Sequence, residues 1–178
     1  SGIVKMVTAL SGLLKNMAKG FNEKVTLQKE LDFLGDYVTI EKVKYVELFD
    51  LEVRVDEPEL YEALVIKLTL QPLVENALYH GVKNKRGKGM IRITGRLEGS
   101  DMVFKVIDDG KGMTEEELGK LQNSLKKDKS DRQEDGFGLS NVNQRIRHYY
   151  GESYGLSFES RENEGTTATI ILEAKNIQ

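Results

Sequence analysis

The stretch "LTLQPLVENALYHGV", residues 68–82, holds a conflict that organises the rest of the chain. Leu70, Leu73, Val74, Ala77 and Leu78 recur with the spacing of a helix buried along one face. Pro72 fits the first turn of such a helix, where a missing N–H costs nothing. Glu75, Asn76, Tyr79 and His80 then gather on one side, because residues three and four apart are neighbours on a helix surface. An acid, an amide and an imidazole at the edge of a core have a purpose that packing alone does not supply.

Toward the N-terminus, residues 3–18 place Val4, Val7, Leu10, Leu14 and Met17 on a helical stripe, which "KGFNEKV" (19–25) interrupts. Thr26 is placed to cap a second helix. From there Leu27, Leu31, Leu34, Val38, Glu41, Tyr45 and Leu48 follow alternating steps of four and three, a heptad seam with one polar interruption. Two partners suit such a seam: another helix, or the chain's own sheet. Left open, Leu27, Leu31, Leu34 and Val38 would favour a weak homodimer, because large apolar patches rarely stay exposed. Glu41 would loosen it, since a buried charge needs a partner.

Downstream the period changes to two. "LEVRV" (51–55) alternates as a half-buried strand that Pro58 closes, and "ELYEALVIK" (59–67) is ambiguous, with a helix one reading of it. "GMIRITGRLEGSDMVFKVIDDG" (89–110) predicts two strands joined at Glu98-Gly99-Ser100-Asp101. Residues 113–137 are charged and glycine-punctuated, weakly helical at best after Thr114. "SNVNQRIRHYYG" (140–151) predicts a helix ended by Gly151, and a hairpin follows around Asn163-Glu164-Gly165. Strands interleaved with helices predict an α+β fold. Its form is a two-layer α/β sandwich, a mixed sheet covered by helices, preceded by a helical segment.

Composition narrows the chemistry. Of 178 residues, 31% are charged and 39% hydrophobic, as in a soluble globular protein, and the net charge of −3 gives no field that would draw nucleic acid. No run approaches the roughly 20 apolar residues that span a bilayer. Zero cysteines exclude disulfides and thiolate metal sites. The chain opens Ser-Gly with no initiator Met, so it reads as part of a longer protein, and a membrane anchor is expected only upstream.

Three further motifs carry glycines. "VIDDGKGM" (106–113) puts two acids and two glycines at a strand end, a pattern shared with calcium loops and ordinary turns. "DGFGLSNV" (135–142) sets two glycines before a helix, whose N-terminus suits phosphate; no Gly-Lys-Ser/Thr follows, so it is not a Walker motif. Lys126, Lys127, Lys129 and Arg132 lie just upstream and read as a solvated face, none assigned to phosphate. "NEGTTATII" (163–171) is a turn glycine entering a β-branched strand.

In this order the four motifs resemble the asparagine box and the three glycine boxes of the GHKL ATP-binding superfamily. That group contains gyrase-type, chaperone and mismatch-repair ATPases and the histidine kinases. Within it, "LQPLVENALYHG", "TLQKELDFLGDYVTIEKVKY" and "GFGLSNVNQRI" resemble the LytS-type sensor histidine kinases, over nearly the whole chain. The resemblance implies a GHKL-type ATP-binding catalytic domain over 49–178, with 1–48 part of a helical dimerisation and phosphoacceptor region. It implies ATP and Mg2+ as cofactors, with Asn76 the metal ligand and Glu75 a catalytic group that polarises an incoming nucleophile. Asp108 would accept a hydrogen bond from the adenine amino group, with Asp109 a solvated neighbour. Gly110 and Gly112 would shape the pocket, Gly136, Gly138 and Leu139 would form the lid hinge facing phosphate, His80 would line the site, and Thr166 would support the adenine water network. Tyr79 stands where many relatives carry Lys. Pro72 occupies the place of the acid that activates water in the chaperone and gyrase ATPases, which counts against that alternative. A degenerate module that binds nucleotide, or only dimerises, without catalysis and a protein-serine kinase are further alternatives. The acceptor histidine of the family lies in an H-F-x-F-N motif; here only His80 and His148 exist, neither in such a motif. The implied partners are a response regulator and a second copy bound through the N-terminal helices, in a cytoplasmic part of a bacterial membrane protein.

Overall fold

The computed structural model describes residues 2–17, 23–46, 48–126 and 137–174. The chain opens with helix α1 (Gly2–Met17), a short strand β1 (Lys24–Thr26) and helix α2 (Leu27–Lys44). Thr26 caps α2 as expected, its hydroxyl accepting the Lys29 N–H at 3.3 Å. Strand β2 (Phe49–Val55), a 3-10 turn (Pro58–Glu62) and β3 (Leu64–Ile66) follow, then α3 (Gln71–Asn76), which runs into a π turn (Ala77–Gly81). The hairpin β4 (Gly89–Glu98) and β5 (Asp101–Asp108), helices α4 (Glu115–Lys126) and α5 (Phe137–Tyr150), and the hairpin β6 (Gly155–Arg161) and β7 (Gly165–Glu173) complete it.

The main sheet has the order β2-β4-β5-β7-β6, with β2 and β4 parallel and the other pairs antiparallel. One face carries a row of directly opposed buried residues: Ile93, Val106, Ala168 and Phe158. Leu73, Val74 and Leu78 from α3 and its π turn, Val142 and Ile146 from α5, and Leu27, Leu34 and Val38 from α2 close the same core. That is the helices-on-one-face sandwich that the sequence pattern predicts.

Three expectations are corrected. The ambiguous segment 59–67 is not an α-helix: the 3-10 turn ends at Glu62, Ala63 is already extended, and β3 pairs antiparallel with β1. Residues 115–126 form a full helix, because Thr114 and Glu117 make a reciprocal cap. The Glu117 N–H meets the Thr114 hydroxyl at 3.2 Å, and the Thr114 N–H meets the Glu117 carboxylate at 2.9 Å. The α2 seam is covered by the chain's own core, with Leu27, Leu34, Tyr37, Val38 and Glu41 all buried. A weak dimer through an open seam therefore has no surface there; exposed apolar side chains gather instead on α1, at Ile3, Val4, Met6, Val7, Leu10 and Leu14, with others such as Val43 scattered. No helix among the described residues is long and apolar enough to cross a membrane.

Since α2 belongs to the core, truncating it should unfold the sheet with it. Leu34→Ala, at a site 1% exposed, is expected to cost about 2–4 kcal/mol in a single urea transition. Loss of α2 in a separate earlier transition would contradict this packing.

Candidate functional site

The core row next to Ile93–Val106–Ala168–Phe158 turns polar. Ile91 faces Asp108, Asp108 faces Thr166, and Thr166 faces Ser160 across the strands. These positions share the core face because side chains alternate with a period of two, so the hydrophobic layer ends in a polar floor. The Asp108 carboxylate is 4% exposed and accepts the Gly110 N–H at 2.9 Å and the Thr166 N–H. Burial pushes its pKa up to about 6 although those two amides pull the other way. Ser160 donates to the Gly165 carbonyl and accepts the Met113 N–H, both at 2.9 Å, which leaves the Thr166 hydroxyl to donate to it at 2.8 Å.

The loops around this floor are pressed together backbone to backbone. Gly112 has φ +65°, and a Cβ there would lie 1.8 Å from the Arg161 carbonyl oxygen. Gly165 has φ +98°, and a Cβ would lie 2.0 Å from the Asp108 carbonyl oxygen. Only glycine fits either position. Gly110 lies behind the cavity wall against the Gly81 backbone.

A cavity of about 600 Å³ opens above the floor, and Glu75, Asn76, Tyr79 and His80 all line it, as the helix pattern predicts. The π turn carries Tyr79 and His80 and follows directly on Glu75 and Asn76 at the end of α3. The Ala77 N–H reaches the Leu73 and Val74 carbonyls, and the Val82 N–H the Ala77 and Leu78 carbonyls. Such widened turns concentrate at functional sites. Gln71 donates to the Glu75 carboxylate at 2.9 Å, and Tyr79 donates to Glu41 at 2.9 Å. His80 is exposed at the rim. Among the described residues the Asn76 carboxamide has no hydrogen-bond partner, although it is half-buried. Gly112, Gly138, Leu139 and Thr166 also line the cavity; Gly136, Lys127, Lys129 and Arg132 lie outside the described residues.

The lining also holds residues to which the sequence reading gave no role: Lys111, Met113, Glu117, Lys120, Leu121 and Ser124. The Thr-x-x-Glu cap that starts α4 was a local signal for the last four, which that helix carries. Asp109, expected to be a solvated neighbour, is about half exposed but bound: Lys85 lies 2.7 Å away, and the Met90 N–H donates to it at 2.8 Å. No three His, Cys, Asp or Glu side chains cluster among the described residues, so no protein-only metal cage exists there. An unpaired amide oxygen beside an open cavity fits instead a hard cation whose other ligands are waters and phosphate oxygens.

The turn that starts α3 depends on Glu30, which no motif marks. Its carboxylate, 2% exposed, accepts the N–H groups of Leu68, Thr69 and Leu70 at 2.9, 2.8 and 2.9 Å. Arg145 of α5 donates to the Lys67 and Leu68 carbonyls at 2.9 and 2.6 Å. Burial raises the Glu30 pKa, while the three amides and then Arg145 oppose that rise. Leu68 is held there at φ +59°, rare for a side-chain-bearing residue.

A family model described as histidine kinase-, DNA gyrase B- and HSP90-like ATPase matches residues 62–176, and a histidine kinase model matches residues 1–49. The chain is 33% identical to the sensor histidine kinase YesM of Bacillus subtilis over 98% of its own length and 28% of the relative's. It is 34% identical to the putative uncharacterized protein YwpD of the same organism over 83% and 49%, respectively. To the sensor protein LytS of Staphylococcus saprophyticus it is 28% identical over 92% and 27%. The chain thus spans about a quarter to a half of these curated relatives. Among solved structures, the catalytic domain of histidine kinase ThkA has a TM-score of 0.60 at 21% identity, over 86% of this chain and 97% of that one. The histidine kinase domain of the blue-light activated histidine kinase of Erythrobacter litoralis has a TM-score of 0.58 at 19% identity, over 98% and 75%. Both share the fold.

Asp108 sets a pH dependence. Its folded pKa lies above the ordinary 3.8, so between about pH 4 and 6 the folded state keeps a proton that the unfolded state has released. Its contribution to stability therefore falls as pH rises through that window and stays low above it. Asp108→Asn should match wild type near pH 4 and be more stable by about 1–3 kcal/mol above pH 7. Urea titrations at both pH values check this, and a variant less stable above pH 7 would contradict it.

Proposed function

The chain belongs to the histidine kinase-, DNA gyrase B- and HSP90-like ATPase family, and we propose that it is the ATP-binding catalytic module of a two-component sensor histidine kinase. The observation that carries this reading is one cavity with an unpaired amide on its wall and a buried carboxylate on its floor. Two of the directions around the Asp108 carboxylate are taken by backbone amides. Its remaining acceptor capacity suits an exocyclic amine, which adenine presents and guanine replaces with a carbonyl. The Ser160–Thr166 hydroxyl pair beside it suits the water that bridges to a base.

The phosphate end is read on the helix side. Asn76 would hold Mg2+, which when bound neutralises charge on the β- and γ-phosphates. Lys111, Lys120 and the first turn of α5 at Gly138 and Leu139 offer cations and free N–H groups to the same oxygens. In the proposed reaction the bond from the γ-phosphorus to its bridging oxygen breaks, a bond to an imidazole nitrogen of a histidine outside this chain forms, and ADP leaves. Glu75, oriented by Gln71, would accept the imidazole proton. His80 would line the phosphate path at the rim. We assign the later steps and context to the longer protein: transfer to a response regulator, a homodimer through the N-terminal helices, and a cytoplasmic position for this part of a membrane-anchored kinase. The exposed apolar side chains of α1 favour that dimer.

Labelled ATP incubated with this chain and a helix fragment bearing an acceptor histidine tests the reading. Acid-labile label on the fragment is expected; free phosphate alone would point to an ATPase, and neither product would overturn catalysis. Asp108→Asn is expected to weaken ATP binding by roughly 1.5–3 kcal/mol, and GTP should bind poorly to the unchanged chain. Equal calorimetric affinities for the two nucleotides would remove Asp108 as the base reader. Asn76→Ala, in a good helix former's context, should abolish the Mg2+ enhancement of ADP binding while leaving adenosine binding intact.

A further inference from the structure

Helix α2 lies outside the segment matched by the ATPase model, residues 62–176, yet it grips the Asn76 helix at both ends. At the start, α3 has no side-chain cap of its own: Leu70 occupies that position, and Pro72 contributes no N–H. The buried turn that leads into α3 has three consecutive N–H groups that need a partner, those of Leu68, Thr69 and Leu70, and Glu30 accepts all three. At the far end Glu41, 5% exposed, accepts the Tyr79 hydroxyl at 2.9 Å and the Lys44 ammonium at 3.3 Å. The Tyr79 ring meets Tyr45 edge-on at 6.3 Å, and Lys83 lies over both rings at 5.0 and 5.2 Å. The two carboxylates stand about 16 Å apart along α2 at ~1.5 Å per residue, and Asn76 falls between their attachment points.

We propose that α2 is a two-point clamp that sets the position of Asn76, with Glu30 and Glu41 as positioning residues for metal-linked nucleotide binding. This rests on the reading of Asn76 as the metal ligand. Asp108 is fixed on the sheet and Asn76 on a helix that α2 holds, so a shift of α2 moves one pole of the site against the other. Helix α1 packs on α2, so motion arriving through α1 reaches Asn76 by this route. Buried carboxylates suit the task better than apolar packing, because hydrogen bonds fix direction as well as distance. An apolar replacement that merely filled the volume would hold the fold without holding the register.

The test uses the whole 178-residue chain with ADP affinity measured by calorimetry in Mg2+ and in EDTA, on variants shown to be folded. Glu41→Leu and Glu30→Gln should lower the ratio of Mg2+ to EDTA affinity roughly tenfold, the usual scale for residues that orient a metal ligand. The EDTA affinity should stay close to wild type, and Glu41→Gln, which keeps an acceptor for Tyr79, should restore the ratio. If Glu30→Gln does not fold, Glu41→Leu carries the test alone. A wild-type ratio in Glu41→Leu overturns the clamp, as does an equal loss with and without Mg2+, which is what mere structural damage gives. Asn76→Ala separates the two readings. If that variant keeps the Mg2+ enhancement, the metal assignment fails and the clamp is judged on amide exchange in nucleotide-free protein. Lost protection at Val74–Ala77 in Glu41→Leu then supports it, and unchanged protection overturns it.

Discussion

Three consecutive backbone amides, those of Leu68, Thr69 and Leu70, converge on the buried carboxylate of Glu30. Much of the molecule depends on that convergence. A buried turn that left these amides unpaired would lose about 1–3 kcal/mol for each, and an unpaired buried carboxylate is costlier still. Each half of the contact therefore requires the other. Arg145 closes the same turn from the opposite side through the Lys67 and Leu68 carbonyls. Helices α2, α3 and α5 meet at one tight turn, and both α3 and α5 carry site residues away from it.

The site itself is a place where the core changes character. On the inner face of the sheet, one row is Ile93, Val106, Ala168 and Phe158, and the adjacent row is Ile91, Asp108, Thr166 and Ser160. The apolar row supplies rigidity, and the polar row inherits it without being exposed. Asp108 is thereby held in a low-polarity setting that strengthens any hydrogen bond it makes to a ligand. The same burial lifts its pKa to about 6, so the fold carries a cost at neutral pH that the amine of the proposed adenine ligand would offset. In the proposed reading, stability and binding are opposed at this residue.

Glycines make the arrangement possible by removing atoms. Gly112 and Gly165 let the strand-end loop, the β6–β7 turn and the Asp108 backbone approach within distances that a Cβ would forbid. The sequence reading gives the first glycines a role toward the ligand. In the structure their closest constraint is the chain's own backbone, and the pocket shape follows from that.

The sequence alone determined what depends on near neighbours. A period of two located β2, β4 and β5, turn residues located both hairpins, and Thr26, Pro72 and Gly151 marked helix ends, because capping and turn geometry are local. The grouping of Glu75, Asn76, Tyr79 and His80 was legible for the same reason, as was the pairing of an acid with glycines at Asp108. Tertiary structure decided what periodicity cannot encode. A heptad stripe defines a face of α2 but not its partner, and the partner proved to be the chain's own core. Glu30 and Glu41 meet their partners 38 to 40 residues away, and Ser160 meets Met113 47 residues away. These hydrogen bonds join residues remote in sequence, and a local pattern carries no information about them. Which acids become caps, and which lysines face the cavity, is settled only when the sheet brings its strand ends together.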